Sequence, residues 1–149
     1  MLKIQVTKEL TDSEFKQNSG WWKEFDLLEF GEISKDYDGL EEAPTFIVAR
    51  EDDELAGVLY VVFEFGVARI KEIMVNPNYR NKGIGKQLLD KVEEIASEYK
   101  CHKLWLETTE TGNSIRLYKR CGYEIEARLK KHFFQADFVI MSKWLDYKR

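Results

Sequence analysis

Between residues 75 and 86 the chain reads Val75-Asn76-Pro77-Asn78-Tyr79-Arg80-Asn81-Lys82-Gly83-Ile84-Gly85-Lys86. An apolar strand pattern ends there, a short polar turn follows, and a long amphipathic helix pattern begins through two glycines. This arrangement predicts a phosphate cradle. Backbone N–H groups converge in a nest, and the helix N-terminus adds the positive end of its dipole. Two nucleotide-binding motifs are excluded by counting. A P-loop needs Ser or Thr after its lysine, but Gln87 follows Lys86. A dinucleotide fingerprint needs a third small residue, and position 88 is leucine. What remains is Arg-x-x-Gly-x-Gly-Lys over residues 80–86.

The rest of the chain sets this turn in a sheet. Residues 2–6 alternate as a short first strand. Asp12 or Ser13 can cap a helix that Ser19-Gly20 breaks, and Trp21, Phe25 and Leu28 then fall at helical spacing to about Phe30. Residues 31–43 are polar, acidic and irregular, and read as a loop. Strand patterns over 45–49, 55–65 and 67–75, joined by tight turns, predict an antiparallel meander. A helix from about Gly83 to Lys100 carries one apolar stripe of Ile84, Leu88, Leu89, Val92, Ile95, Ala96 and Tyr99. A strand over 103–107 follows it, so the strand–helix–strand order predicts one parallel pair. A short helix over 113–120 ends at Gly122, and residues 123–129 and 133–144 close the sheet as a hairpin. The expected fold is α/β in the mixed α+β sense: a central mixed, mostly antiparallel sheet with helices on both faces. A ligand crevice is expected beyond the carboxyl end of the strand that feeds the glycine turn.

The turn resembles the acyl-CoA-binding motif of the GNAT superfamily of N-acetyltransferases, whose signature is Gln/Arg-x-x-Gly-x-Gly/Ala. Two further blocks agree and stand in the family's order. Leu104-Trp105-Leu106-Glu107, followed by Ile115-Arg116-Leu117-Tyr118-Lys119-Arg120-Cys121-Gly122-Tyr123, resembles the second signature block. Asp137 to Lys143 resembles the family's last strand, so the likeness spans about Phe46 to Leu145. It implies a GNAT-like fold, acetyl-CoA as co-substrate and transfer of its acetyl group to a primary amine. One position departs: where many relatives carry an asparagine seven residues before the tyrosine, this chain has Thr111, and the nearest asparagine is Asn113.

Acyl transfer from a thioester to an amine sets three requirements. The amine must lose a proton, since an alkylamine titrates near ~10.4. The carbonyl oxygen needs donors as charge develops on it. The departing thiolate benefits from a proton. By resemblance, Tyr118 is the general acid for the thiolate. Glu107, at the end of an apolar strand, is the leading candidate for the base, acting through water. Glu72 is the rival, because it interrupts an apolar strand and a carboxylate there is costly without a role or a partner. For the co-substrate, the resemblance assigns the strand backbone of Ile73, Met74 and Val75 to the pantetheine amides. It assigns Arg80, Asn81, Lys82, Gly83, Ile84, Gly85 and Lys86 to the pyrophosphate, with Thr111 or Asn113 as a further contact. A Cβ at Gly83 or Gly85 is expected to block close approach of the phosphates. Candidates for the acceptor side are Trp21, Trp22, Tyr37, His132, Phe133 and Phe134, with the acidic Asp36, Asp38, Glu41 and Glu42.

Composition excludes other classes. One hundred and forty-nine residues fit a single domain, and 44% hydrophobic content with 13% aromatics excludes a disordered chain. A net charge of −4 argues against a nucleic-acid partner. No apolar run approaches a membrane span and the N-terminus lacks a signal-peptide core, so the expected location is the cytoplasm. Two widely spaced histidines argue against a zinc site. Cys101 and Cys121 form no C-x-x-C pair and read as buried free thiols, with nothing in sequence to mark Cys121 as an activated nucleophile. The expected reaction is direct attack in a ternary complex, with a small-molecule amine as acceptor. A protein N-terminus or lysine is the alternative acceptor, and a non-catalytic acyl-CoA-binding module is the alternative class. An exposed last hairpin could support a homodimer.

Overall fold

The computed structural model describes residues 1–37 and 43–146. The chain divides into two compact units, Met1–Asp38 and Gly39–Arg149.

The first unit is helical. Helix α1 runs unbroken over Asp12–Phe30. Its cap is Thr11 rather than Asp12 or Ser13, in a capping box: Thr11 Oγ1 accepts from the Glu14 N–H, and the Glu14 carboxylate accepts from the Thr11 N–H at 2.8 Å. The Thr11 hydroxyl, which donates to the same carboxylate at 2.7 Å, and the Thr11 N–H hold the Glu14 carboxyl below its usual range. The expected break at Ser19-Gly20 does not occur. A glycine inside a helix costs only about 1 kcal/mol, and the cap and eighteen other residues carry the helix across it. Residues 2–6 form no strand, which corrects the expectation from their alternation. Gly31–Tyr37 is a 3-10 helix rather than loop. The acidic Asp38, Glu41 and Glu42 lie outside the described residues.

The second unit holds a six-stranded sheet in the order β1-β2-β3-β4-β6-β5. The first three strands, β1 (Ala43–Glu51), β2 (Glu54–Glu64) and β3 (Val67–Val75), form the expected antiparallel meander. Helix α2 (Ile84–Ala96) follows and leads to β4 (Lys103–Thr109), which pairs parallel with β3. Helix α3 (Ser114–Arg120) ends through Gly122 at φ 90°, the left-handed exit that its sequence predicts. Strands β5 (Glu124–Leu129) and β6 (Phe138–Trp144) are antiparallel to each other, and β6 is antiparallel to β4. The core joins Leu59, Val61 and Phe63 of β2 to Leu88, Leu89 and Val92 of α2, Leu104 and Leu106 of β4, and Ile115 and Tyr118 of α3. The predicted apolar stripe of α2 is therefore the face it buries.

Two local features shape the middle of the sheet. The parallel ladder between β3 and β4 runs only from Val67↔Lys103 to Ile70↔Leu106. At that point β3 carries a bulge: Val61 pairs Ile70 and Tyr60 pairs Glu72, leaving Lys71 as the extra residue. A bulge bends its strand and increases its twist. Beyond Ile70, β3 and β4 therefore separate, and a wedge opens between them.

Candidate active site

The glycine turn follows the end of β3, at the open end of the wedge. Asn76 braces its start: its side chain accepts from Asn78 N–H at 3.0 Å and donates to Leu55 O at 3.0 Å. Tyr79 donates its hydroxyl to Glu54, a bond that raises the phenol's pKa. Neither brace was evident from the motif, because both partners sit over twenty residues earlier, at the start of β2. Asn81 (φ 60°) and Gly83 (φ 78°) both take the left-handed conformation. Gly83 is the N-cap of α2 with no side-chain cap bond, so the first-turn N–H groups face outward past it. A Cβ on Gly83 would meet nothing within 4 Å. Open space over a left-handed glycine and uncapped N–H groups fits a pyrophosphate.

Gly85 has another reason for being glycine. A Cβ there would come within 2.9 Å of Leu117 Cδ2 on α3. Gly85 is buried, so packing against the Leu117 side chain is a reason for glycine here in addition to the expected approach of phosphates. Among the cations of the turn, Lys86 pairs with Asp90 at 2.5 Å and Lys82 lies 4.9 Å over the Tyr79 ring. Arg80 Nε reaches back toward Val75 O at 3.5 Å. Thr111 and Asn113 are exposed on the turn entering α3, and Asn113 occupies the N-cap position without capping through its side chain. Its amide is therefore not consumed by the helix.

The wedge separates two kinds of chemistry on opposite faces of the sheet. Tyr118 is on the face covered by α2 and α3, only 6% exposed, with its ring edge-on to Tyr123 at 6.2 Å. Burial pushes its pKa up to about 12, so the phenol keeps its proton at physiological pH, the state a proton donor needs. Glu107 lies one residue beyond the last rung of the parallel ladder, on the other face. Its Oε2 is 3.6 Å from an Arg69 nitrogen and 3.6 Å from His132 Nε2. The Arg69 guanidinium also lies 4.8 Å over the Trp105 ring. His132 packs against Phe133 and Phe138, at 4.2 and 5.6 Å between ring centres.

The structure thus joins two predicted residues, Glu107 and His132, and adds Arg69, which the sequence did not single out. Its only signal was a charge alternating with Ala68 and Ile70 along the strand. Glu72 shares the face of Glu107 but is exposed opposite Tyr60 and has no ion pair among the described residues. The burial cost that made it notable is therefore absent. Met74 is exposed and Ile73 and Val75 half-buried along the open edge of β3. Phe134 is 99% exposed. Trp21, Trp22, Asp36 and Tyr37 belong to the first unit.

The cysteines are free. Cys101 is buried, with its thiol pushed up to about 12 by desolvation. Cys121 is half-buried rather than buried, and burial together with Asp90 raises its pKa. Neither has the lowered pKa of an acyl-carrying nucleophile. Among the described residues no cluster of His, Cys, Asp or Glu could hold a metal, and no helix is long and apolar enough to cross a membrane.

Comparison with known proteins agrees with this geometry. Residues 7–123 match the model of the acetyltransferase (GNAT) family. Streptothricin acetyltransferase of Streptomyces lavendulae is 34% identical over 85 residues, covering 55% of this chain and 45% of that protein. The chain thus matches under half the length of that relative. Glucosamine 6-phosphate N-acetyltransferase 1 of Dictyostelium discoideum is 27% identical over 130 residues, covering 80% of this chain and 74% of that protein. A crystal structure of a GNAT family acetyltransferase from Elizabethkingia anophelis with acetyl-CoA bound superposes with a TM-score of 0.65. It is 23% identical and covers 74% of this chain and 80% of that one.

Proposed function

Because the chain belongs to the acetyltransferase (GNAT) family, whose members use acetyl-CoA as co-substrate, we propose that it acetylates a small-molecule primary amine by direct attack in a ternary complex. The observation that carries this reading is the wedge. Bulged at Lys71, β3 leaves its edge facing β4 without ladder partners from 71 onward, and the edge ends at the glycine turn. An extended pantetheine arm can pair with that edge as an added strand, through Ile73, Met74 and Val75. Residues 80–86 then receive the pyrophosphate, mainly through backbone N–H, and Asn113 or Thr111 adds a side-chain contact.

Acetyl-CoA supplies an activated acyl carbon and a thiolate leaving group. The chain's residues divide the proton traffic between the two faces of the wedge. On one face Tyr118, a phenol held protonated by burial, donates to the departing sulfur. On the other, Glu107 serves the amine. Glu107 is favoured over Glu72 because it stands where the wedge begins, one residue past the last rung, with two partners that fix it, whereas Glu72 is exposed. The raised pKa of Cys121 supports direct transfer over a covalent acyl-enzyme.

A small-molecule acceptor is favoured over a peptide by the relatives, whose names give streptothricin and glucosamine 6-phosphate as acceptors. We read residues 1–149 as one catalytic domain acting in the cytoplasm, with a dimer through the last hairpin as its assembly and no nucleic-acid or membrane partner. Thiol release from acetyl-CoA, measured with a chromogenic disulfide reagent against an enzyme-only blank, tests the reading. The panel contains amino sugars and their phosphates, polyamines, amino acids, aminoglycosides and short peptides. Release driven by one small-amine class supports it. Release by peptides alone replaces the acceptor, and silence with acetyl-CoA still raising Tm favours a binding module.

A further inference from the structure

We propose that the group receiving the acceptor's proton is the imidazole of His132, at Nδ1, with Glu107 as the positioning residue that holds Nε2–H. This rests on the proposed function and replaces the water relay expected between amine and Glu107.

Three observations carry it. First, His132 Nε2 is buried and lacks a hydrogen-bond partner among the described residues, yet it lies 3.6 Å from Glu107 Oε2. An orphaned buried N–H is costly, and catalytic hydrogen bonds are often long before the complex forms. A closure of a few tenths of an ångström would satisfy it. Second, the side chain is 31% exposed overall, and Nδ1 is not among the buried unpartnered atoms. The ring therefore turns one nitrogen inward and leaves the other accessible. Third, Glu107 is the more enclosed of the two side chains. Its side chain is 16% exposed, and Arg69 and His132 both face the same oxygen.

The charged groups facing this ring are Glu107 from β4 and, behind it, Arg69 from β3. On its own loop, Asp137 is occupied by the Lys131 N–H at 3.0 Å. Phe133 and Phe138 hold the ring plane. Histidine is also the side chain whose ordinary titration lies nearest neutral pH, which suits a base that must be regenerated each cycle.

The protons balance as follows. The ammonium gives one proton to Nδ1, and Glu107 stabilises the resulting imidazolium, which later releases the proton to solvent. The neutral nitrogen forms the C–N bond to the acetyl carbon as the C–S bond breaks. Tyr118 gives its proton to the sulfur, and the nitrogen's second proton restores the phenol.

Two measurements test the relay. The chain has two histidines, so imidazole nitrogen NMR on labelled protein is assigned with His102→Gln. Wild type should show His132 with its proton on Nε2. Glu107→Ala should return it to the mixed tautomers of exposed His102. An identical spectrum in Glu107→Ala overturns the dyad. For turnover, using the amine with fastest thiol release, His132→Ala should lower kcat about 100-fold and lose the acid limb of the pH–rate profile. The KM for acetyl-CoA should stay within about twofold, and free imidazole should restore part of the rate. A His132→Ala enzyme of unchanged Tm with a wild-type pH profile and no imidazole rescue overturns the relay while leaving the acetyltransferase reading intact. Silence of wild type toward the whole panel would overturn the functional reading itself.

Discussion

Strands β1, β2 and β3 offer the site mainly backbone, whereas β4, β6 and β5 offer side chains. In the proposed reading, the first arm binds through the edge that β3 leaves unpaired and the conformations of Asn81 and Gly83. The second arm, with helix α3, presents a phenol, a carboxylate and an imidazole fixed by packing and charge. Four parallel rungs join the arms, so a small change of register at Lys71 or Leu106 moves the reactive groups relative to the cradle. Binding and chemistry should therefore fail separately under mutation.

The strongest challenge to this division is Tyr118→Phe. It should lower kcat by about 100-fold or more, the range for lost proton transfer, while acetyl-CoA affinity measured by calorimetry stays within about twofold. A parallel loss of affinity would mean that the second arm also binds. Gly83→Val should do the reverse. A β-branched residue at φ 78° costs roughly 1–2 kcal/mol, so the Kd for acetyl-CoA should rise about tenfold with a smaller change in kcat at saturation.

Gly85→Ala belongs to neither arm. With the tip of Leu117, Cδ2, 2.9 Å from the new Cβ, overpacking should outweigh the helix-propensity gain by about 1 kcal/mol at most, seen as a slightly lower Tm. Leu117→Ala in the same chain should recover part of the loss, and failure to recover it would return Gly85 to the cradle. A subtler effect follows from Tyr118. Its pKa is raised from 10.0 to about 12, so burial of the neutral phenol stabilises the fold fully below pH 10 and progressively less up to about pH 12. Melting curves across that window should fall less steeply for Tyr118→Phe than for wild type. The smallest effect is expected from Glu72→Gln: exposed and unpaired among the described residues, it should change kcat less than about twofold.

The same contrast explains what could be read in advance. The glycine turn was legible as backbone because special geometry demands special residues, as the left-handed Gly83 illustrates, and Gly122 and the short helix before Tyr123 take the forms their sequence predicts. The packing reason for Gly85 was not legible, since it depends on Leu117, which sequence does not place beside it. Local breakers also mislead: Gly20 sits inside a helix whose capping box and length outweigh it. Glu107 and His132 were each visible as chemically able residues. Their meeting was not, because it needs the β4–β6 register and the hairpin loop together. Arg69 was missed because one charge in an alternating strand looks like an ordinary solvent-facing position. The bulge left a trace in the adjacent Lys71-Glu72 pair, which disrupts the alternation of β3, with Lys71 as the extra residue and Glu72 opposite Tyr60.

Sheets usually confine unsatisfied edges to their margins, where charges and short strands guard them. The Lys71 bulge opens such an edge in the interior, between two strands that are neighbours at one end and strangers at the other. This protein therefore carries a seam that any extended segment, including one from another copy of itself, could enter as a strand. If acetyl-CoA fills the seam as proposed, saturating it should keep concentrated samples monodisperse, and stripping it away should favour clustering.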